Sequence, residues 1–159
     1  MKRMLIALDE SKGAMKAVEY VAMHFSVSND LEVALVHVLP NLPAIFWDEG
    51  HILNDDEKKD RKKVVDKWLA DRLVKMEPVF RKATDALLAQ GMKLERISRK
   101  TISDSLDPAG SILEEAKDNG FGTIVIGRHS ILGGNRSLVG SVTNKIMSQG
   151  AGMAIVVVE

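Results

Sequence analysis

The chain has no cysteine among its 159 residues. That absence removes disulfide frameworks, thiol nucleophiles and thiolate metal sites, and it fits a reducing cytoplasm. Charge of one sign is not in excess either: 22 basic residues stand against 22 acidic ones, so neither nucleic acid nor an anionic membrane is an expected partner. No apolar stretch is long enough to span a bilayer. Met1-Lys2-Arg3 is basic, but the apolar run behind it, Met4 to Leu8, ends at Asp9-Glu10 and is too short for a signal peptide. The expectation is a soluble cytoplasmic protein. With 45% hydrophobic and 28% charged residues, the chain reads as one domain over residues 1–159 that buries a full core without staples.

Several chemical motifs are missing as well. A phosphate-transferring P-loop needs G-x4-G-K-[S/T], which does not occur, so no lysine is placed to stabilise a transferring phosphate. A dinucleotide fingerprint after the first strand needs glycines where only Gly13 is found. A phosphorylation receiver needs an acidic pair after strand 1 and an aspartate at the end of strand 3; Asp9-Glu10 suits the pair, but strand 3 ends in Arg99-Lys100-Thr101-Ile102 with Asp104 displaced. His24, His37, His51 and His129 fall on different elements and suggest no metal cluster; His24 and His37 read as packed or half-buried. No catalytic triad or paired carboxylates are discernible, so turnover beyond slow hydrolysis is not expected.

What is present is an alternation of apolar runs and helical stripes. Met4 to Leu8 is a short strand covered on both faces, followed by a turn at Ser11-Lys12-Gly13 and a helix with Ala14, Ala17, Val18, Val21, Ala22 and Phe25 on one stripe. Leu31 to Leu39 forms strand 2 and is stopped by Pro40. Pro40 to Asn54 reads as a long connection. The charge run Asp55 to Lys63 is the solvated start of a long amphipathic helix that ends at Gly91, with a kink or break predicted at Pro78. Leu94 to Thr101 is the most polar strand candidate, strand 3, and suits an edge position. Asp107-Pro108 opens a helix that Asn119-Gly120 closes. Thr123 to Ile126 is strand 4, a helix spans about Leu138 to Gln149, and Met153 to Val158 is a final valine-rich strand. This order implies an α/β fold with a mostly parallel five-stranded sheet and helices on both faces.

In such sheets ligands sit beyond the carboxyl ends of the strands, where the strand order reverses. The stretch Gly127 to Thr143, GRHSILGGNRSLVGSVT, leaves the end of strand 4 and enters a helix through Gly140-Ser141. Glycines and a helix start together suit an anion, and the plain alternative is a surface loop that needs glycine to turn. Asp9, at the end of strand 1, is expected to face the same crevice if strands 1 and 4 are neighbours. It suits a ribose hydroxyl, an amine or a divalent cation bridging phosphates, and it suits equally a cap on the first helix or a bond to the turn at Ser11.

These residues resemble the universal stress protein family, whose nucleotide-binding members carry G-x2-G-x9-G-[S/T] after strand 4. Gly127, two residues, Ser130, nine residues and Gly140-Ser141 keep that spacing, with serine at the second glycine. The resemblance extends over the whole chain: strand 1 ending in Asp9-Glu10-Ser11, strand 2 ending in His37-Val38, strand 4 as TIVIG, and a terminal AIVVVE. It implies a doubly wound domain of strand order 3-2-1-4-5 that dimerises through its last strand, residues 153–158, and in one branch binds ATP with Mg²⁺ or Mn²⁺. Carried over, Ala7, Leu8 and Asp9 meet the adenosine end, Val38 offers backbone bonds to adenine, and Ile126 packs on that end. Gly127 and Ser130, with Gly140, Ser141, Val142 and Thr143, line the phosphates, and Asp9 touches a metal only through the nucleotide. Serine at position 130 costs on the order of 1 kcal/mol where positive φ or close approach is required, and its hydroxyl suits a phosphate. Arg128, His129 and Arg136 add cations beside the phosphates; solvated loop residues are the plain alternative, favoured for Arg128 and open for Arg136. The terminal strand is so apolar that as an edge it calls for pairing with a second subunit. A nucleotide-free homodimeric interaction module with a structural glycine loop is the alternative to an adenine-nucleotide-binding stress or signalling protein.

Overall fold

In a computed structural model, residues 2–39, 53–128 and 139–159 are described. Five strands, β1 (Lys2–Ala7), β2 (Leu31–Val38), β3 (Ile97–Ile102), β4 (Thr123–Gly127) and β5 (Ala154–Val158), alternate with four helices, α1 (Lys12–Phe25), α2 (Asp55–Ala89), α3 (Pro108–Asp118) and α4 (Ser141–Gln149). The strands form one sheet in the order β3-β2-β1-β4-β5, and every pairing is parallel. This is the doubly wound α/β arrangement the sequence implies. Because strand side chains alternate, the runs of apolar residues fill both faces. Ile6, Leu35 and Val125 pack with α1 and the second half of α2 in one core. Leu5, Val36, Ile124 and Ile126 pack with α3 and Ile146 of α4 in the other.

The registers Ile6↔Leu35 and Ile6↔Val125 centre β1 between β2 and β4. The chain leaves β1 on one side and β4 on the other, so the crossover direction changes there and a crevice opens above the carboxyl ends. The polar β3 occupies one edge as expected, with Lys100 paired to Glu115 at 2.6 Å and Arg99 to Glu77 at 3.3 Å. β5 forms the other edge.

Three local expectations need correction. α2 does not break at Pro78 but runs on for 35 residues. Proline removes one i→i−4 bond; the carbonyl it leaves belongs to Val74, which is 70% exposed, so the bond is lost on a solvent-facing side and the helix continues. Strand 3 begins at Ile97 because Leu94–Arg96 makes a 3₁₀ turn first. The last helix begins at Ser141 and not near Leu138; Gly140 is its N-cap, with extended backbone at φ −62 and ψ 153. At the start of α2, Asn54 and Glu57 form a reciprocal capping box, both bonds at 2.8 Å, and the charge run behind it is solvated as its composition requires. Of the Pro40 to Asn54 connection, only its last two residues are among those described.

Candidate functional site

The apolar run of β1 ends where polar residues begin, and this change of composition shapes the floor of the crevice. The Leu8 N–H donates to the Val36 carbonyl at 2.8 Å, and the Leu39 N–H to the Ile102 carbonyl at 2.9 Å, tying the strand ends together. Asp9 then turns the chain: its Oδ1 accepts the Ser11 N–H at 2.8 Å. Ser11, and not Asp9, caps α1, accepting the Ala14 N–H on its hydroxyl at 3.1 Å. Of the roles weighed for Asp9, the turn bond is therefore made and the cap belongs to its neighbour.

Gly127 ends β4 directly against the start of α1. A β-carbon there would stand 2.5 Å from the Gly13 carbonyl carbon and 2.7 Å from its oxygen. The need for glycine at this position is thus close backbone approach between β4 and α1. The Gly127 carbonyl accepts the hydroxyl of Thr143, itself 1% exposed, at 2.9 Å. Arg128 continues the connection: its N–H donates to the Val158 carbonyl at 2.8 Å, its carbonyl accepts the Gly140 N–H at 2.9 Å, and its guanidinium pairs with Glu159. Gly140 and Thr143 therefore hold α4 onto the end of β4 with the groups that the resemblance assigns to phosphate. Ser141 is exposed at the first position of the helix, where the first-turn N–H groups have no partners within the helix. Ser130, His129 and Arg136 lie outside the described residues.

Above these strand ends is a cleft of about 920 Å³, counting the open space at its mouth. Ala7, Leu8, Asp9, Val38, Ile126, Gly127 and Val142 line it. Arg128, Gly140, Ser141 and Thr143 do not, although Thr143 is one bond away through Gly127. The lining also includes residues that sequence reasoning did not assign: His37 from β2, Arg72 and Met76 from α2, and Ile112 from α3. A signal for Arg72 was present. It stands four residues before the buried Met76 on the inward stripe of α2, so a cation interrupts an apolar face. Its guanidinium lies 5.3 Å from the centre of the Trp68 ring.

His37 is 8% exposed, and its Nδ1 lies 2.8 Å from the Leu8 carbonyl oxygen. Burial holds its pKa below the ordinary histidine value of 6.5; the Leu8 bond and the carboxylates of Asp9 and Glu10 oppose that shift, and the positive charge of Arg72 adds to it. The ring is accordingly neutral at neutral pH. Outside the lining of the cleft, Lys145 of α4 pairs with Asp107 at 2.6 Å. Asp107 occupies the N-cap position of α3 without a side-chain capping bond, and the bond from Lys145 is the main cause that lowers its pKa. Among the described residues no three histidines or carboxylates gather into a metal site, and no described helix is long and apolar enough to cross a membrane.

A mostly apolar cleft with a few carboxylate, imidazole and guanidinium groups, set at the switch point of a doubly wound sheet, has the form and the place in which α/β domains commonly hold small molecules. The chain belongs to the universal stress protein family, whose model matches residues 1–157. Among curated proteins it is similar to universal stress protein YxiE of Bacillus subtilis, 24% identical over an alignment of 151 residues that covers 91% of this chain and 90% of that one. Its fold is similar to that of the hypothetical protein MJ0577, with a TM-score of 0.72 and 22% identity over 99% of this chain and 94% of that one. It is likewise similar to that of a universal stress protein from Archaeoglobus fulgidus in complex with dAMP, with a TM-score of 0.62 and 16% identity over 100% and 98% of the two chains.

Proposed function

We propose that this chain binds an adenine nucleotide, ATP in first place, in the cleft above β1, β2 and β4, and serves as a stress-response or signalling module with at most slow hydrolysis. The observation that carries this reading is the convergence in one cleft of Ala7, Leu8, Asp9, Val38, Ile126, Gly127 and Val142, residues that lie on four separate elements and their turns. The family membership and the dAMP complex of the Archaeoglobus protein support it. Apolar Ala7, Val38 and Ile126 suit a base and sugar, and the start of α4 at the exposed Ser141, entered through Gly140, suits phosphate. Asp9 fits a divalent cation shared with phosphate oxygens, since Mg²⁺ is commonly held by one or two carboxylates plus the nucleotide.

The edge strand β5 carries Val157, 37% exposed, in an otherwise half-buried valine run. This supports a homodimer formed by β5 of two copies, with solution in the cytoplasm as the working environment. The test of the nucleotide reading is to denature the purified protein and chromatograph the supernatant. Release of an adenine nucleotide near one per chain is expected; a protein that carries none, and takes up none when incubated with ATP and Mg²⁺, contradicts it.

A further inference from the structure

We infer that the His37 imidazole selects the base of the bound nucleotide by accepting a hydrogen bond from the exocyclic amine of adenine. This inference rests on the adenine-nucleotide reading and adds to it the residue that distinguishes purines.

His37 is anchored at the ring nitrogen nearer the backbone. Its Nδ1 lies 2.8 Å from the Leu8 carbonyl oxygen, and a carbonyl oxygen only accepts, so Nδ1 carries the proton. In the neutral ring the other nitrogen, Nε2, is then an acceptor with no proton of its own. Among the described residues, none donates to Nε2. His37 lines the cleft, and with Nδ1 held by Leu8, Nε2 is the ring nitrogen left for a ligand there.

What makes this nitrogen selective is that it cannot change roles cheaply. A hydroxyl rotates and an amide flips, but shifting the imidazole proton to Nε2 would break the bond to Leu8. Protonating the ring is opposed by its burial and by the Arg72 charge, against the pull of Asp9 and Glu10. Adenine presents an amine donor at position 6 beside the N7 acceptor, whereas guanine presents two acceptors. Nε2 therefore matches adenine and sets lone pair against lone pair with guanine. Arg72 lines the same cleft and makes no ion pair with a described residue. Its guanidinium suits N7, which both purines share. On this division Arg72 favours purines and His37 separates them.

The test uses the full chain and two ligands, ATP and the triphosphate of purine riboside, which lacks only the exocyclic amine. Calorimetric titration of the wild-type protein is expected to show ATP binding about tenfold more tightly, the effect of one hydrogen bond in a shielded site. In His37→Asn the shorter amide keeps a donor for the Leu8 carbonyl and withdraws the acceptor from the cleft. That variant is expected to bind both ligands within about twofold of each other, as is His37→Phe. A wild-type protein that binds both equally overturns the inference and leaves the adenine-nucleotide reading standing. So does a folded His37→Asn that keeps the wild-type preference. A wild-type protein that binds neither ligand overturns both. Should neither variant fold, equal binding of the two ligands by the wild-type protein still overturns the inference. A preference for ATP that persists when Val38, whose backbone bonds no side-chain change removes, is replaced by alanine, but falls in a folded His37→Gln, supports it.

Discussion

The Thr143 hydroxyl donates to the Gly127 carbonyl at 2.9 Å, joining the first turn of α4 to the last residue of β4, 16 positions earlier in the chain. This bond, and not only the glycine pattern, fixes where the helix start lies relative to the cleft. Thr143→Val keeps the shape of the side chain and leaves a carbonyl in the interior without its donor. The expected loss is about 1 to 3 kcal/mol of unfolding free energy, read from urea denaturation, with Thr143→Ser close to wild type. A Thr143→Val protein as stable as wild type would show that the bond does not organise the helix start.

Gly127→Ala tests the close approach of β4 to α1. A β-carbon at 2.5 Å from the Gly13 backbone forces two main-chain segments apart, and neither is a flexible side chain that can move aside. A cost of about 1 to 3 kcal/mol is expected, together with weaker nucleotide binding, since Gly127 and Ala14 line the same cleft. An alanine variant with unchanged melting and unchanged binding would refute the steric reading of this glycine.

Much of this was legible in the residues themselves. The continuous apolar runs at Met4–Leu8 and Thr123–Ile126 announced strands covered on both faces, the polar run around Arg99 and Lys100 announced an edge, and Asp9 and Gly127 announced strand ends. The reason for Gly127 was not legible. Sequence pattern suggests phosphate, whereas the neighbour that forbids a side chain is Gly13, 114 residues away in the chain (127 − 13). Arg72 escaped for a similar reason. Helical periodicity places it on the inward stripe of α2, but which residues that stripe meets depends on how far a 35-residue helix extends past the sheet. That α2 continues through Pro78 without a break was not legible, because it depends on which side of the helix loses its bond, a property of the fold and not of the dipeptide. Thr143 was assigned to phosphate through the family pattern, while its hydroxyl is engaged with Gly127.

The pH dependence of stability follows from His37. Its folded pKa is depressed below the ordinary 6.5, chiefly by burial, so below that value the unfolded chain binds the proton more readily than the folded one. The stability associated with the neutral ring is fully present above pH 6.5 and is lost as pH falls through the lower, folded value. Comparing wild type with His37→Asn by chemical denaturation removes the background of the other titrating groups. The stability advantage of wild type is expected to shrink from neutral pH into the acid range. An advantage that grows on acidification would mean that the folded ring gains its proton more readily than the unfolded one.

The edge strand makes a prediction about assembly. Val157 is the exposed valine in the run Ala154–Val158, and charge on an edge strand discourages pairing between copies. Sedimentation of the wild-type protein is expected to show a dimer at micromolar concentration, and Val157→Lys a shift to monomer with an unchanged circular dichroism spectrum. A wild-type monomer at that concentration contradicts assembly through β5.

The most direct measurement is the melting temperature of the purified, nucleotide-free protein as ATP and Mg²⁺ are added. A ligand that binds only the folded chain at a hundred times its dissociation constant adds about 2.7 kcal/mol, or about 5 to 10 °C for a domain of this size. A rise that follows the logarithm of ATP concentration, and that is reduced in Gly127→Ala, is the predicted result. A melting temperature unmoved by millimolar ATP, with or without Mg²⁺, would contradict adenine-nucleotide binding and leave the cleft without the ligand assigned to it.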